Sequence, residues 1–277
     1  MKKHRTGRVS LPTIAAVLAI TLTLFACEDK EKKQTPAEAV TVEQPVAEAE
    51  AAAEPTENIA SDVKLLEFIT NKDGDVLKKF VYDKQSRIVK IYNNYSNGNF
   101  SSIITITYST DNLVKVETIN NDGNIKYTEE FVRNGNTIES TTGLLTINEE
   151  GYIVKDGRNT YEYKNSNLTI IQDNSDDERF SSYSYDNKRS PFFNTTTPKW
   201  LIQRLFDNDY HSRHYQYASK NNVISSSRNG GELGGIGCDH KYQYDKDRFP
   251  VAVTQECDGT ETVSVQEITK YSYSGSK

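Results

Sequence analysis

Between Ser61 and Lys277 the chain is cut into short alternating runs by turn residues, a pattern that leaves room for little besides an antiparallel sheet. Seven Asx-Gly pairs supply the punctuation: Asp73-Gly74, Asn97-Gly98, Asp122-Gly123, Asn134-Gly135, Asp156-Gly157, Asn229-Gly230 and Asp258-Gly259. Each can take the positive φ angles that two-residue hairpin turns require, so a hairpin is expected at each. Between them Ile104, Ile106 and Tyr108 share one face, as do Val114 and Val116; Val263, Val265, Tyr271 and Tyr273 keep one parity near the end. Period-two alternation marks strands with one buried face. All 17 tyrosines and the single Trp lie in this region, and aromatic and β-branched residues favour strands over helices. About fifteen strands are expected, in one all-β domain: a single antiparallel meander of repeated hairpins forming a curled sheet or barrel-like domain. One segment dissents. Thr197-Pro198-Lys199-Trp200-Leu201 onward, with a cap residue, Pro at the first helical position and Leu201 and Leu205 one turn apart, predicts a short helix near 198–206.

The internal repeat is stronger still. Aromatic pairs two residues apart recur as Tyr161/Tyr163, Tyr183/Tyr185, Tyr215/Tyr217, Tyr242/Tyr244 and Tyr271/Tyr273, with Phe80/Tyr82 a looser member. A polar turn and a Val-rich strand follow several of them, as in Tyr82-Asp83-Lys84 through Val89 and Tyr244-Asp245-Lys246 through Val251. Repeats of this length imply stacked units that bury their faces against neighbours. This tract resembles the YD-type repeats of the Rhs family. It is more closely similar to a family of Bacteroidales outer-membrane lipoproteins described as porin-like in fold, through Tyr183-Ser184-Tyr185-Asp186 and the Pro191-Phe192 that follows. The resemblance implies a hairpin-built envelope domain and carries no activity with it. The tyrosines suit either tiling of the sheet or an aromatic platform for sugar rings, and bare repetition favours tiling. Asp83, Asp186 and Asp245 stand where an Asx side chain would cap a turn, which argues against a catalytic role.

The first 60 residues are of another kind. Lys2, Lys3, Arg5 and Arg8 precede an apolar stretch ending in Leu24-Phe25-Ala26-Cys27. Residues 1–26 read as an export signal, and the last four positions resemble the lipobox of bacterial lipoproteins, which makes Cys27 the expected lipidation site. Removing those four bases moves net charge from −6 to −10, a poor match for nucleic acid. Residues 27–60 are rich in Glu, Ala and Pro with no aromatic residue. They are expected to be a disordered tether holding residues 61–277 roughly 30 Å from the lipid. Glu28-Asp29 after the cysteine loosely resembles a surface-export signal. The expected location is therefore an outer-membrane lipoprotein on the cell surface or the periplasmic face, touching the membrane through its lipid alone.

Cys238 and Cys257 are the remaining thiols, and a hairpin centred between Asp247 and Arg248 sets them opposite each other. A cross-strand disulfide follows, which an exported compartment permits. His211 and His214 are three apart, a spacing that on a strand puts them on opposite faces. The acidic run 173–178 lacks the glycine and spacing of a calcium loop, and the glycines of 230–237 lack the Lys-Ser/Thr of a phosphate loop. No catalytic set, metal site or cofactor is expected. A non-enzymatic binding or scaffold module for a glycan or outer-membrane partner is favoured; the alternative is a glycan-active or other hydrolase with a dispersed carboxylate pair. Trp200, Tyr210 and the 229–237 loop interrupt the meander, where binding residues concentrate, although Trp200 equally suits a plug at one end of the sheet.

Overall fold

The structure, a computed structural model, describes residues 63–95, 100–110, 112–176, 179–207, 216–230, 235–259 and 267–274. The export signal, Cys27 and the acidic tether lie outside these residues. Strands β1 (Leu66–Thr70), β2 (Val76–Tyr82), β3 (Ile88–Tyr95) and β4 (Ser102–Tyr108) begin the wall. It continues through β5 (Leu113–Asn120), β6 (Ile125–Asn134), β7 (Thr137–Ser140) and β8 (Gly143–Ile147). Next come β9 (Ile153–Lys155), β10 (Asn159–Lys164), β11 (Asn167–Asp173) and β12 (Arg179–Tyr185). A long insert, 186–222, separates these from β13 (Val223–Gly230), β14 (Gly235–Tyr244), β15 (Pro250–Gly259) and β16 (Glu267–Tyr273). Every strand pairs with its sequence neighbours and β1 pairs with β16, so the meander is a closed barrel. Closure removes the sheet edges. Strand direction alternates, which gives the barrel two rims. The base holds the 83–87, 148–152, 165–166 and 245–249 turns, both ends of the insert, and residues 63–65 and 274. The opposite rim, the mouth, holds the 71–75, 121–124 and 141–142 turns.

Five turns share one construction: 71–75, 83–87, 120–124, 148–152 and 245–249. An Asx residue leads each, its N–H donating to the carbonyl four residues on, as from Asp83 to Arg87 at 2.9 Å and Asp245 to Phe249 at 2.9 Å. Its side-chain oxygen accepts a backbone N–H of the same turn: Arg87 N at 2.9 Å in one, Phe249 N at 3.0 Å in another. The fourth position is left-handed, with φ 92° at Gly74, 62° at Ser86, 79° at Gly123, 85° at Gly151 and 68° at Arg248. This is a three-residue loop with a bulge, and the adjoining strands slip by one residue there. The expectation of two-residue turns at Asp73-Gly74 and Asp122-Gly123 is corrected accordingly. Asn229-Gly230 and Asp258-Gly259 lie within β13 and β15, so they pair instead of turning. Asn97-Gly98 lies outside the described residues. A two-residue turn occurs where no Asx-Gly marked it, at Asn165-Ser166, both residues with positive φ.

The face turned inward is apolar and aromatic: Ile69, Phe80, Tyr82, Ile91, Ile106, Val114, Val116, Phe131, Ile138 and Tyr271 are buried. The alternate positions are exposed and polar, as in Lys126, Thr128 and Glu130 on β6, Thr160, Glu162 and Lys164 on β10, and Asp239, Lys241 and Gln243 on β14. A lipid-facing barrel has the reverse pattern, apolar outside and polar inside. This wall is built to meet water. Among the described residues no helix is long and apolar enough to cross a membrane.

Tyrosine hydroxyls fasten the base end of the wall. Tyr82 donates to Leu66 O at 2.8 Å, Tyr108 to Ile88 O at 2.9 Å, Tyr163 to Ile153 O at 2.9 Å and Tyr273 to Pro250 O at 2.9 Å. Each of the four lies at or next to the end of an even-numbered strand and bonds the first residue of the odd strand before it. These tyrosines tile the interior and offer no exposed platform.

The insert fills the space inside. It contains α1 (Lys199–Ile202) and a π-helical turn over Gln203–Asp207. The helical segment covers 199–207, as the sequence predicts, but is capped differently. Pro198 occupies the cap position, while the Thr197 hydroxyl accepts the Ile88 N–H at 2.7 Å and so ties the insert to β3. Phe192 packs edge-on to Phe80 with centroids 5.2 Å apart and stacks on Phe206 at 5.2 Å; Trp200 lies 5.2 Å from Phe131.

Cys238 and Cys257 are directly opposed in register and joined in a disulfide. Tyr242 faces Val253 as the hairpin reading requires, but Tyr244 faces Pro250, because a bulge takes up one residue. Replacing both cysteines by alanine should lower stability by roughly 3 kcal/mol through lost chain restriction. The melting temperature would fall while far-UV dichroism of the folded state stays that of a sheet. The turns give a second, sign-sensitive expectation. Gly123→Ala should destabilise and Ser86→Gly stabilise, each by about 1 kcal/mol, because only glycine takes left-handed φ without a Cβ clash. Urea midpoints moving the same way for both would contradict this.

Candidate functional site

The insert begins and ends at one capped neck. Asp186 N donates to Asn222 O at 3.0 Å, and the Asp186 carboxylate accepts the N–H groups of Lys188 at 2.9 Å and Asn222 at 3.1 Å. The Tyr244 hydroxyl also bonds this carboxylate. Asp186 is therefore a turn cap, as its place in the repeat predicts. From the neck the insert is laced to the base turns. Thr195 Oγ1 donates to Ser86 O at 2.8 Å, Arg189 N to Arg248 O at 3.2 Å, and Lys220 N to Ser166 O at 3.1 Å. Deeper inside, Gln203 Oε1 accepts Ile153 N at 3.1 Å, and Arg204 reaches Thr142 Oγ1 at 3.0 Å on the mouth side. Thr142 in turn donates to Glu129, whose side chain is only 5% exposed and pairs with Arg204 at 3.4 Å. Burial pushes the Glu129 carboxyl up, but the Thr142 and Tyr127 hydroxyls and the Arg204 guanidinium outweigh it and hold the group below its ordinary range. Glu129 is an anchor for the plug, not a proton donor.

A cleft of about 300 Å³ lies where the insert meets the turns that carry Tyr152 and Ser166. Its lining combines hydroxyl side chains, including Ser190 and Thr195, with aromatic rings, including Phe192 and Phe193, and two ammonium groups, Lys199 and Lys220. No carboxylate or imidazole is among the lining residues. The volume lies at the lower end of the range for small-molecule sites. Lys199 Nζ sits 4.2 Å from the Tyr152 ring centroid, and the far side of that ring stacks on Tyr163 at 4.7 Å. Burial pushes the Lys199 ammonium below its ordinary value; Glu150 opposes this and Lys220 adds to it. Phe193 is 43% exposed. Such a cleft can hold an anion or a polar ring by contact and hydrogen bonding, and it has no paired acid and base for proton transfer.

The residues singled out in the sequence fall elsewhere. Trp200 is 3% exposed and packed inside the barrel, so as a ligand contact it is corrected; its place is in the plug. Tyr210, His211 and His214 lie outside the described residues. Of the 229–237 loop, Asn229 and Gly230 end β13 and Gly235 to Gly237 begin β14, on the mouth rim away from the cleft. In the acidic run, Asp173 accepts from Ser175 Oγ at 2.6 Å and Arg158 Nη2 at 2.9 Å, and Asp176 pairs with Arg179 at 3.0 Å. Lys199, Lys220, Ser190 and Phe193 were not anticipated. The available signal was the interval from Tyr185 to Val223, far longer than a hairpin return and marked by Pro191 and Pro198.

No protein-family model matches the chain, and no curated protein matches it. Among solved structures it is similar to a porin-like protein from Bacteroides uniformis, with 12% identity, 75% of this chain and 95% of that chain covered, and a TM-score of 0.44. It is also similar to a porin-like protein from Bacteroides vulgatus, with 14% identity, 76% and 99% covered, and a TM-score of 0.37. Likenesses of this degree say nothing of what the chain binds.

The Asp173 carboxyl is held down to about 2, against an ordinary 3.8, by the Ser175 hydroxyl, the Ser175 N–H and Arg158. A depressed carboxylate contributes stability above its unfolded value and loses it as pH falls through the folded one. Stability should therefore drop between about pH 4 and pH 2, and Asp173→Asn should flatten that limb of the acid curve. Carbon-13 titration of the carboxyl gives the midpoint directly; a value near 4 would contradict the assignment.

Proposed function

We propose that this protein is a lipid-tethered, non-enzymatic binding module of the cell envelope and that its ligand seat is the base cleft. The observation that carries the reading is the lining: hydroxyls, aromatic rings and two ammonium groups around a concave volume, with no acid–base pair. The outer wall supports attachment through a lipid on Cys27 over insertion of the strands, because charged side chains alternate along it. The plug supports a closed module over a conducting pore, since Phe192, Trp200 and Phe206 occupy the interior. The location that fits is the outer membrane, facing the cell surface or the periplasm, reached by an export signal over 1–26 and a tether over 27–60.

Three measurements test this. Fatty-acid labelling in cells should mark the wild-type chain and spare Cys27→Ser; continued labelling of that variant would remove the anchor assignment. Protease added to intact cells should degrade the barrel if it faces outward and spare it if it faces the periplasm. The purified protein should turn over no glycan, ester or peptide substrate, while a saccharide bound in the cleft raises its melting temperature. At a concentration a hundred times the dissociation constant the gain is about 2.7 kcal/mol. Turnover abolished by substituting a pair of carboxylates would overturn the binding reading in favour of a hydrolase.

A further inference from the structure

We propose that the base cleft takes an acidic saccharide, its carboxylate meeting Lys199 and Lys220 and one face of its ring resting on Phe193. This deepens the binding reading above and rests on it. Among the described residues neither ammonium group is in an ion pair. Two other cations of the base are paired. Lys64 is held between Asp245 at 2.8 Å and Asp247 at 2.5 Å, and Arg87 pairs with Asp83 at 2.6 Å. The acid beside the cleft, Glu150, already accepts the Ser166 hydroxyl at 2.6 Å. Two ammonium groups at one cleft, a half-buried Lys199 and an exposed Lys220, near Glu150 but in no ion pair with it, form a seat for an anion.

The rest of the lining decides which anion. Inorganic phosphate or sulfate would need neither aromatic rings nor a volume of about 300 Å³. A long-chain fatty acid would need an apolar tunnel, whereas this cleft is short and rimmed with Ser166, Ser190, Thr195 and Ser219. Hydroxyl groups beside an exposed aromatic face suit a sugar ring, whose C–H side stacks and whose hydroxyls exchange hydrogen bonds. Phe193 is poised for this. Its ring is 43% exposed, and it is held edge-on to Phe249 at 6.4 Å with the Arg189 guanidinium 5.2 Å from its centroid. Arg189 adds a third positive charge at that edge, and like the lysines it is in no ion pair among the described residues.

Calorimetric titration of the whole chain with tetragalacturonate, and with the neutral tetrasaccharide obtained by reducing its carboxyl groups, separates the possibilities. The acidic probe should bind and the neutral one bind at least about tenfold more weakly, a difference of 1.4 kcal/mol. Lys199→Gln with Lys220→Gln should remove that preference, and Phe193→Ala should weaken both probes alike. Lys72→Gln with Lys126→Gln, two exposed lysines at the mouth end, should leave the preference intact; its loss in that variant would reduce the effect to general charge. Because Lys220 N holds the insert to Ser166 through the backbone, the lysine variant keeps that bond, and an unchanged melting temperature confirms folding. Equal affinity for the two tetrasaccharides would sink the acidic preference and leave the binding module standing. Binding of inorganic sulfate with neither saccharide would reassign the cleft to small anions, and no binding of any probe would remove both readings.

Discussion

Width governs this structure. A barrel of about eight strands is filled by the side chains of its own wall, and one of sixteen is not. The described residues form sixteen, so something other than the wall must occupy the interior. The 186–222 insert does so with Phe192, Trp200, Leu201, Ile202 and Phe206, all buried against wall residues such as Phe80, Ile88 and Phe131. The apolar inner face, the charged outer face and the lacing of Thr195, Thr197 and Lys220 to the base turns all follow from that requirement. Losing a ring such as Trp200 would open a cavity that the rigid wall cannot close over, at about 3–5 kcal/mol. The cleft is a by-product of the same arrangement. It lies where a segment anchored to Ser86 on one side and Ser166 on the other reaches the Tyr152 turn through the Lys199 side chain.

The two ends of the barrel differ in kind. At the base, tyrosine hydroxyls bond strand carbonyls, Asx side chains cap three of the five bulged turns, and the insert is sewn to several turns at once. Both ends bury polar residues, Asn167, Ser190 and Ser219 near the base and Ser226, His240, Gln255 and Thr269 on four successive strands nearer the mouth, where the Cys238–Cys257 bond also lies. The base is held by packing and hydrogen bonds, the β14–β15 hairpin by a covalent link.

Much of this was legible from residue order because the signals are local. Alternation at Ile104, Ile106 and Tyr108 needs no distant partner to be read, and the opposed cysteines follow from one hairpin centre. The Asx caps at Asp83 and Asp245 were equally plain. Turn length was not, because an Asx-Gly pair serves both a two-residue and a bulged three-residue loop. The choice depends on pairing in the flanking strands. Ser86 and Arg248 take the left-handed position that Gly74 and Gly123 take elsewhere, so the motif has no fixed sequence. Closure of β1 on β16 and the folding of the insert into the lumen are long-range outcomes with no local mark. The cleft depends on both, which is why Trp200 drew attention while Lys199, its neighbour, did not.

The seam between β1 and β16 carries a consequence in time. Leu65 and Ser274 are hydrogen-bonded at 3.0 Å across a separation of 209 residues, so the first strand to be synthesised waits for the last. Throughout that interval β1 presents an unpaired edge, an open template for another chain, and pairings of such separation form slowly. Its five residues make the edge short, which limits the hazard without removing it. A chain synthesised end first must therefore be shielded until Glu267–Tyr273 arrives. A truncation that spares every residue of the cleft but removes the final strand would leave the barrel as an open sheet, ready to pair with its own copies.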